Sequence, residues 1–333
     1  MVDEDLSDCN KQEEAEVDYE LRLVTNVAIE LTTKLTTVPE MELSDALRDN
    51  LSHIFTDYAH DVDLSFYDTV GDSLRLQHDK HIMDANEASY TLNLPKRHYM
   101  HLAAANLINN TQVSLTNDER CHPSMLQQTD GDTISSHTTG LFTARRPIEI
   151  QEGIDQDFNV CLYMANCAAC LVIDPRGLDT ENIRVYSTGF ATGFGICDSV
   201  YQFKAASPIV RTARVDAEKS GLVGFCSVTF PSREPVKSRK TRTVIETEEP
   251  FIEESGSEPL WEFRVYVPRH QDGRTRSRES ITETILRVKE PLRPGEFKII
   301  KGWLGSDSSV RVDDQEVATS VTLDWQEGLI FKN

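Results

Sequence analysis

Two cysteines separated by two residues, Cys167 and Cys170, form the pattern in this sequence that most resembles a reactive site. The C-x-x-C spacing occurs in redox centres and in zinc sites. A redox pair needs the first turn of a helix after a strand, whereas residues 159–173 are predicted to form a strand, in which positions three apart point to opposite faces. We therefore expect Cys167 and Cys170 to be separate, buried structural thiols, and we expect the same of Cys197 and Cys226 in their apolar strands.

Four histidines form two close pairs, His78 with His81 and His98 with His101, and could be considered metal ligands. Neither pair has a third ligand at a spacing typical of a metal centre, and no carboxylate can be assigned to orient the rings. These histidines are therefore expected to be hydrogen-bonded or solvent-facing.

Gly189, Gly193 and Gly195 come closest to a phosphate-binding loop. Such a loop also needs a Lys followed by Ser or Thr and then a helix, and neither follows here, so strand bends explain these glycines better. The hydrolase patterns G-x-S-x-G and H-E-x-x-H do not occur either. The sequence predicts a non-enzymatic protein with no catalytic, cofactor-binding or metal-binding residues, and it identifies no partner-binding residues.

The overall charge is strongly acidic, with 55 Asp and Glu residues against 34 Lys and Arg residues and a formal net charge of −21. This balance repels nucleic acid, which we therefore exclude as a partner. Two basic stretches, residues 233–242 and 269–278, are the exceptions. They could steer an acidic partner towards the protein, or they could be solvated loop tips.

Alternation of apolar and polar residues over many short segments predicts a mainly β protein. The first strand is expected over residues 21–31, directly after an acidic leader. One helix is expected to begin at a Ser44 cap, because Leu47, Leu51 and Ile54 recur on one face of it. Further strands are predicted at 62–68, 73–76, 88–94, 99–106, 141–150, 159–173, 183–187, 195–203, 221–230, 260–267 and 281–288.

The chain of 333 residues is long enough for two domains. We predict a flexible acidic leader over residues 1–16, an N-terminal β-sandwich over 17–154 and a C-terminal β-sandwich over 155–333. A local repeat favours duplication, because LPKRHY at 94–99 matches LRPGEF at 292–297 and an apolar strand follows each.

The C-terminal region consists of a turn, a strand and a second, strictly alternating strand. Pro294 and Gly295 mark the turn, Phe297 opens the strand that follows, and the last strand alternates from Val317 to Trp325. We expect these two strands to form a closing pair at a sheet edge.

These segments carry a resemblance to a known family. The Pro-Gly turn, the aromatic residue after it, the strand ending at Gly302 and Trp303, the closing VATSVTLDW at 317–325 and the opening EDLSDC at 4–9 resemble the minor fimbrium, or fimbrillin anchor, subunits of Bacteroidales surface pili. The resemblance implies two tandem transthyretin-like (Ig-like Greek-key) β-sandwich domains with one short helix in the first. It also implies an outer-membrane lipoprotein at the cell surface, whose lipidated cysteine would precede Val2 and is not in this chain.

The function that the resemblance implies is a non-enzymatic structural component of surface fimbriae, which anchors and terminates the pilus at the outer membrane and supports cell adhesion. Its partners would be fimbrial stalk subunits or other minor pilus subunits, joined by β-strand complementation. A stalk subunit gives up its own first strand, whereas the strand over residues 21–31 is expected to stay in place.

The alternative is a surface lipoprotein that acts as a binding module for a glycan or for a host or partner protein. Its candidate contacts are the aromatic residues Trp261, Tyr266 and Trp303. Alternation along the strand places Trp261 on the core face, which weakens this alternative.

Limited digestion with trypsin tests the interpretation of the first basic stretch. Residues 231–242 combine two prolines with a high density of Lys and Arg and no apolar periodicity, so we expect the first cuts there. Mass spectrometry of the early fragments identifies the sites. Early cleavage within residues 260–267 would instead show that the second half of the chain is folded differently.

Overall fold

A computed structural model describes residues 14–24, 34–55, 59–69, 73–82, 89–151, 156–234, 260–269 and 280–322. Most of both basic stretches, the second part of the predicted strand at 21–31 and Trp325 lie outside these ranges. The predictions made for those segments stay predictions.

The fold is mainly β, as the alternation predicts, and its largest element is a seven-stranded sheet. The order across this sheet is β3-β2-β5-β9-β10-β1-β4. The strands in chain order are β1 (Glu14–Val24), β2 (Asp61–Asp68), β3 (Arg75–Ile82), β4 (Ser89–Pro95), β5 (His98–Ala105), β9 (Phe142–Glu149) and β10 (Gln156–Met164).

The described residues form three further sheets. A four-stranded sheet has the order β14-β13-β7-β6, a five-stranded sheet the order β16-β17-β11-β20-β21 and a six-stranded sheet the order β22-β19-β18-β12-β15-β8. Their strands are β6 (Val113–Thr116), β7 (Met125–Gln128), β8 (Thr133–Ser135), β11 (Cys167–Asp174), β12 (Arg184–Thr188), β13 (Gly193–Gly195), β14 (Val200–Gln202), β15 (Ile209–Arg211), β16 (Ala213–Asp216), β17 (Val223–Thr229), β18 (Trp261–Arg269), β19 (Ser280–Val288), β20 (Phe297–Leu304), β21 (Val310–Val312) and β22 (Val317–Thr322).

Helix α1 (Val38–Asn50) starts earlier than the Ser44 cap that the sequence predicts. Its cap is Thr37, whose backbone N–H donates to the Glu40 carboxylate at 2.8 Å in a capping box, while Ser44 is buried within the helix. The predicted apolar face is confirmed, because Leu47 is buried in the helix and Leu51 just after it. No helix in the described part of the chain is long and apolar enough to cross a membrane.

Glu40 also joins the helix to the five-stranded sheet. Its Oε1 accepts from Nζ of Lys301 in β20 at 2.7 Å. Partial burial opposes ionisation of this carboxyl, but the hydrogen bonds from Lys301, Thr37 and Thr36 outweigh it and lower the pKa of Glu40 to about 2. The helix therefore stays attached to the sheet through a charged contact over most of the pH range.

The described residues form three hydrophobic cores between these layers. The first contains one face of the seven-stranded sheet, the helix and one face of the five-stranded sheet, represented by Leu162, Leu47 and Cys170. The second lies between the opposite face of the five-stranded sheet and the six-stranded sheet. The third lies between the four-stranded sheet and the outer face of the seven-stranded sheet. The predicted β-sandwich packing is confirmed, with the five-stranded sheet shared by two cores.

The predicted division at residues 154 and 155 separates strands that pair with each other. Strand β10 begins just after that division, yet it pairs with β9 and β1. Strands β7 and β8 from the first half also pair with β13 and β15 from the second. A division between β10 and β11, at Ala165 and Asn166, agrees better with the hydrogen bonding, and two independently folding domains of the transthyretin type stay a prediction.

The two strands predicted as a closing pair do not pair with each other. Strand β20 lies between β11 and β21, whereas β22 pairs with β19 in the six-stranded sheet. The polar stretch between β20 and β22 contains β21, so the chain changes sheets there. Val317 is buried but Val321 is 43% exposed, so the predicted apolar face of the last strand is only partly buried.

The two repeated segments share the same pattern of burial, although they lie in different sheets. Leu94 and Leu292 are buried, and so are the aromatic residues Tyr99 and Phe297. In each segment a turn separates the leucine from the strand, and Gly295 adopts a positive φ of 72° in the second turn. The shared spacing therefore fixes the same local arrangement of leucine, turn and aromatic residue twice.

His137 is a buried histidine whose two ring nitrogens both have partners. Its Nε2 donates to the amide oxygen of Gln128 at 2.5 Å, and its Nδ1 accepts from Nδ2 of Asn166 at 3.3 Å. Asn166 is held in this orientation, because its Oδ1 accepts from the Leu141 N–H and its Nδ2 also donates to the Thr139 carbonyl. A proton on Nδ1 would face an amide donor, and burial lowers the pKa of His137 to about 3.

We expect His137 to make the fold less stable as the pH falls below 6.5, the ordinary pKa of histidine. Below that pH the unfolded chain binds a proton that folded His137 does not bind until about pH 3, so acid favours the unfolded state throughout this window. The free energy of unfolding should fall by about 1.4 kcal/mol per pH unit from this residue. Urea titrations between about pH 6 and about pH 4 should therefore show a shallower pH slope for His137→Gln than for the wild type.

His98 offers a matched control, because its side chain is 69% exposed. The His98→Gln variant replaces an exposed histidine in the same way and gives the slope with which that of His137→Gln is compared. An unchanged slope in His137→Gln would mean that this residue titrates alike in the folded and unfolded chain.

Candidate assembly site

Strand β1 fills a slot between two other strands of the seven-stranded sheet. It pairs antiparallel with β4, from Glu14 opposite Pro95 to Glu20 opposite Ser89. On its other side it runs parallel to β10, from Val17 to Val24. A strand in this position has hydrogen-bonding partners along both edges, unlike an edge strand.

Side-chain burial adds to the backbone pairing of β1. Val17 is fully buried in the first core, where Leu92 and Leu94 of β4 and Val160 and Leu162 of β10 are also buried. On the opposite face Asp18 is exposed and accepts a hydrogen bond from Thr91 Oγ1 at 3.0 Å. The strand is thus amphipathic, with one face in the core and one in solvent, as alternation predicts.

The observed β1 starts earlier than the strand predicted over residues 21–31, and residues 25–31 of that prediction lie outside the described residues. It starts at Glu14, so the last residues of the predicted 1–16 leader belong to the sheet. The sequence EAEVDYELRLV alternates throughout, but the density of acidic residues in its first half is typical of a solvated leader. Hydrogen bonds to two neighbouring strands stabilise this segment as a strand despite its acidic residues.

The cysteines of the C-x-x-C motif lie in β11 and point to opposite faces, as predicted. Cys167 is buried in the second core and Cys170 in the first. Burial raises the pKa of the Cys167 thiol, whose Sγ donates to the Thr229 carbonyl at 3.4 Å. Cys170 lies directly opposite Cys226 of β17. Burial and the raised pKa make the Cys167 thiol a poor nucleophile.

The histidine pairs do not converge on a common site. His78 contacts Asp63 at 2.9 Å, and His98 lies 3.8 Å from Glu149. His101 is buried with its Nδ1 3.1 Å from the Ser65 carbonyl oxygen, and burial lowers its pKa to about 4.

The glycine pattern forms a bend and a strand. Gly193 and Gly195 bound the short strand β13. Gly189 has φ of 105°, and a Cβ there would lie 2.6 Å from Cα of Trp261, so only glycine fits beside this strand. Close approach of two backbones thus explains why residue 189 is glycine.

One group of three metal-capable side chains in the described part of the chain was not found from sequence. His122, Cys197 and Asp198 bring one ligand atom each to within 4.8 Å of one another. Cys121 lies beside them, with its Sγ 2.6 Å from that of Cys197. The two Cys-containing dipeptides are 76 residues apart. The pairing of strands within the sheet brings them together, and no local sequence pattern reveals that pairing.

The aromatic residues of the binding-module alternative have partners within the protein. Trp261 is 2% exposed and donates from Nε1 to the Glu290 carbonyl at 2.9 Å, which confirms its predicted core position. Tyr266 donates its hydroxyl to Glu283 at 3.0 Å. The guanidinium of Arg176 lies over the ring of Trp303 at 4.6 Å from its centroid. These three residues do not form a shared exposed platform.

Comparison with known proteins bears on the fold. No protein-family model matches the sequence, and no curated protein sequence does. Solved structures do match over nearly the whole chain. A proposed adhesin from Bacteroides ovatus matches with a TM-score of 0.51 and 9% identity, over 95% of this chain and 96% of that one.

Proteins from two other species of the same order match as well. Proposed polysaccharide-binding proteins from Bacteroides thetaiotaomicron match with a TM-score of 0.50 and 10% identity, over 94% of this chain and 99% of theirs. A looser match, with a TM-score of 0.46 and 10% identity over 93% of this chain and 99% of the other, is the fimbrial anchor protein Mfa2 from Porphyromonas gingivalis. The resemblance to Bacteroidales proteins drawn from the terminal motifs is thus confirmed at the level of the fold.

Proposed function

We propose that this protein is a non-enzymatic subunit of a surface fimbria, located at the membrane end, that tethers the pilus and terminates it. The observation that carries the proposal is that β1 is built into the seven-stranded sheet with a partner on each side. The terminal motifs that resemble fimbrial anchor subunits support it, and so does the fold shared with a proposed adhesin.

Strand complementation explains why a built-in β1 matters. In this mode of assembly one subunit donates a strand to an open groove in its neighbour, and main-chain hydrogen bonds supply the affinity. The groove between β4 and β10 is occupied by the protein's own β1 along the paired residues. A subunit that keeps this strand does not accept a strand there, so it joins the pilus through one end only.

The position of β1 in the chain connects termination with tethering. Residues 1–13 precede the strand, and a chain of that length spans at most about 45 Å. The chain from a lipid attached ahead of Val2 would enter the described fold at β1. Cleavage that removes β1 would then release the protein from the outer membrane, so an anchor of this design must retain the strand.

The alternative, a binding module for a glycan or a partner protein, has one point in its favour. The matching proteins from Bacteroides thetaiotaomicron are described as proposed polysaccharide-binding proteins. Against it, Trp261 is buried and Trp303 is covered by Arg176. The anchor proposal explains why β1 is retained within the seven-stranded sheet, whereas a binding module does not require a retained β1.

Deleting the gene in the organism that makes the protein should give pili that are shed and abnormal in length. The reason is that both the tether and the terminator are then absent. Electron microscopy of cells and immunoblots of culture supernatants measure the two effects, and complementation with the wild-type gene is the control. Attached pili of normal length in the deletion strain would leave an accessory adhesin as the better account.

A disulfide that fixes β1 beside β4 tests whether the protein is a terminator or a shaft subunit. Asp18 and Thr91 are opposite each other on the exposed face of the β1–β4 pair, so Asp18→Cys combined with Thr91→Cys should form a disulfide across the strands. We expect cells with the locked protein to retain pili at the wild-type number and length, since β1 does not leave its slot during assembly.

The single variant Asp18→Cys is the matched control, because it changes the same face without a cross-link. Pili lost only from the double variant, and restored by a mild reductant, would show that β1 must leave the slot. The protein would then be a shaft subunit.

A further inference from the structure

The sulfurs of Cys121 and Cys197 are in direct contact in the interior. Their Sγ atoms lie 2.6 Å apart, and each residue is 2% exposed. Even carbon atoms, which are smaller than sulfur, sit about 3.5–4.0 Å apart when they are not bonded. Both residues are free thiols in this structure, but their spacing is much shorter than an unbonded contact and approaches that of a bonded pair of sulfurs, about 2.05 Å.

Backbone hydrogen bonds hold the two cysteines in this position. The N–H of Cys121 donates to the Ser73 carbonyl at 3.0 Å, and the N–H of Ser124 donates back to the Cys121 carbonyl at 3.2 Å. The N–H of Ile196, next to Cys197, donates to the Ser124 carbonyl at 3.1 Å. The two loops are thus fixed against each other without help from the sulfurs, so the pair is preorganised.

A metal site at this position is the competing explanation, because His122 and Asp198 lie beside the cysteines. Their Nδ1 and Oδ1 atoms are 3.1 Å apart, and Cys197 Sγ is 3.8 Å from His122 Nδ1. Two thiolates on one zinc ion, with bonds of about 2.3 Å in a tetrahedral arrangement, hold their sulfurs about 3.8 Å apart. The observed 2.6 Å is far shorter. His122 and Asp198 are also 71% and 54% exposed, as expected of a surface ion pair.

We propose that Cys121 and Cys197 form a disulfide bond in the mature protein. The two thiols give up two protons and two electrons to an external disulfide, of the thiol–disulfide oxidoreductase or glutathione class. That disulfide is reduced to two thiols as the Sγ–Sγ bond forms, so atoms and electrons balance.

The bond joins parts of the chain that are 76 residues apart. Cys121 lies between β6 and β7, and Cys197 lies between β13 and β14, so the link connects the two halves of the four-stranded sheet. This sheet covers the third core, which contains Tyr67 and Leu102 of the seven-stranded sheet. Closing a loop of this length restricts the unfolded chain strongly, so the link should raise the melting temperature.

Peptide mapping of the full-length protein, secreted through an oxidising periplasm, tests the bond directly. Trypsin releases residues 121–145 and 185–204 as peptides that each contain one cysteine. With free thiols alkylated and no reductant added, we expect these two peptides to be recovered as one linked species. Reductant should separate them.

Variants provide the second measurement. Cys121→Ser combined with Cys197→Ser should melt several degrees below the wild type, and reductant should lower the melting temperature of the wild type but not of this variant. Cys161 is exposed and has no place in the proposed bond, so Cys161→Ser is the matched control and should keep both the link and the melting temperature.

Two results would overturn the proposal. One is recovery of the two peptides separately, each alkylated, from the unreduced secreted protein. The other is one equivalent of zinc in the protein, lost on Cys197→Ser substitution, which would establish the metal site instead.

Discussion

The parallel pairing of β1 with β10 is the interaction on which the seven-stranded sheet depends. In the strand order, β4 joins this sheet through β1, and β10 has β1 along one of its edges. Without β1, two rows of backbone N–H and C=O groups would lose their partners, and the core would lose the fully buried Val17. Strand β1 therefore holds together segments from distant parts of the sequence.

The five-stranded sheet joins two of the layers, because it lies between the first and the second core. Its central strand β11 is buried on both faces, with Cys170 and Val172 in one core and Cys167 and Leu171 in the other. A strand that is buried on both faces has a continuous apolar sequence rather than an alternating one. The CAAC segment, whose spacing suggests chemistry, is explained by its position between two packed layers.

Sequence patterns identified the kinds of element more reliably than their partners. The apolar stripe through Leu47 and Leu51 identified the helix, and alternation placed Trp261 in the core. Hydrogen-bond partners are a different matter, since alternation shows which face of a strand is buried but not which strand lies beside it. This is why β20 and β22 were expected to pair and why the chain division was predicted between β9 and β10, which pair with each other.

The candidate assembly site shows the same limit. An amphipathic first strand was foreseen, but its position between β4 and β10 depends on pairings with segments that lie about 70 and 140 residues further along the chain. The contact between Cys121 and Cys197 is hidden for the same reason. Their sulfurs meet because β7 pairs with β13, which no local pattern reveals.

The direction of β1 determines how the fold carries mechanical load. Inter-strand hydrogen bonds in the antiparallel β1–β4 pair run across the strand, and those to β10 are evenly spaced along it. A force applied at the N-terminal end of β1 and resisted within the sheet therefore acts along the strand, in shear. Many hydrogen bonds then bear the force together, whereas peeling from an edge would break them one at a time. A tether connected through this strand is coupled to the sheet in its mechanically stronger direction.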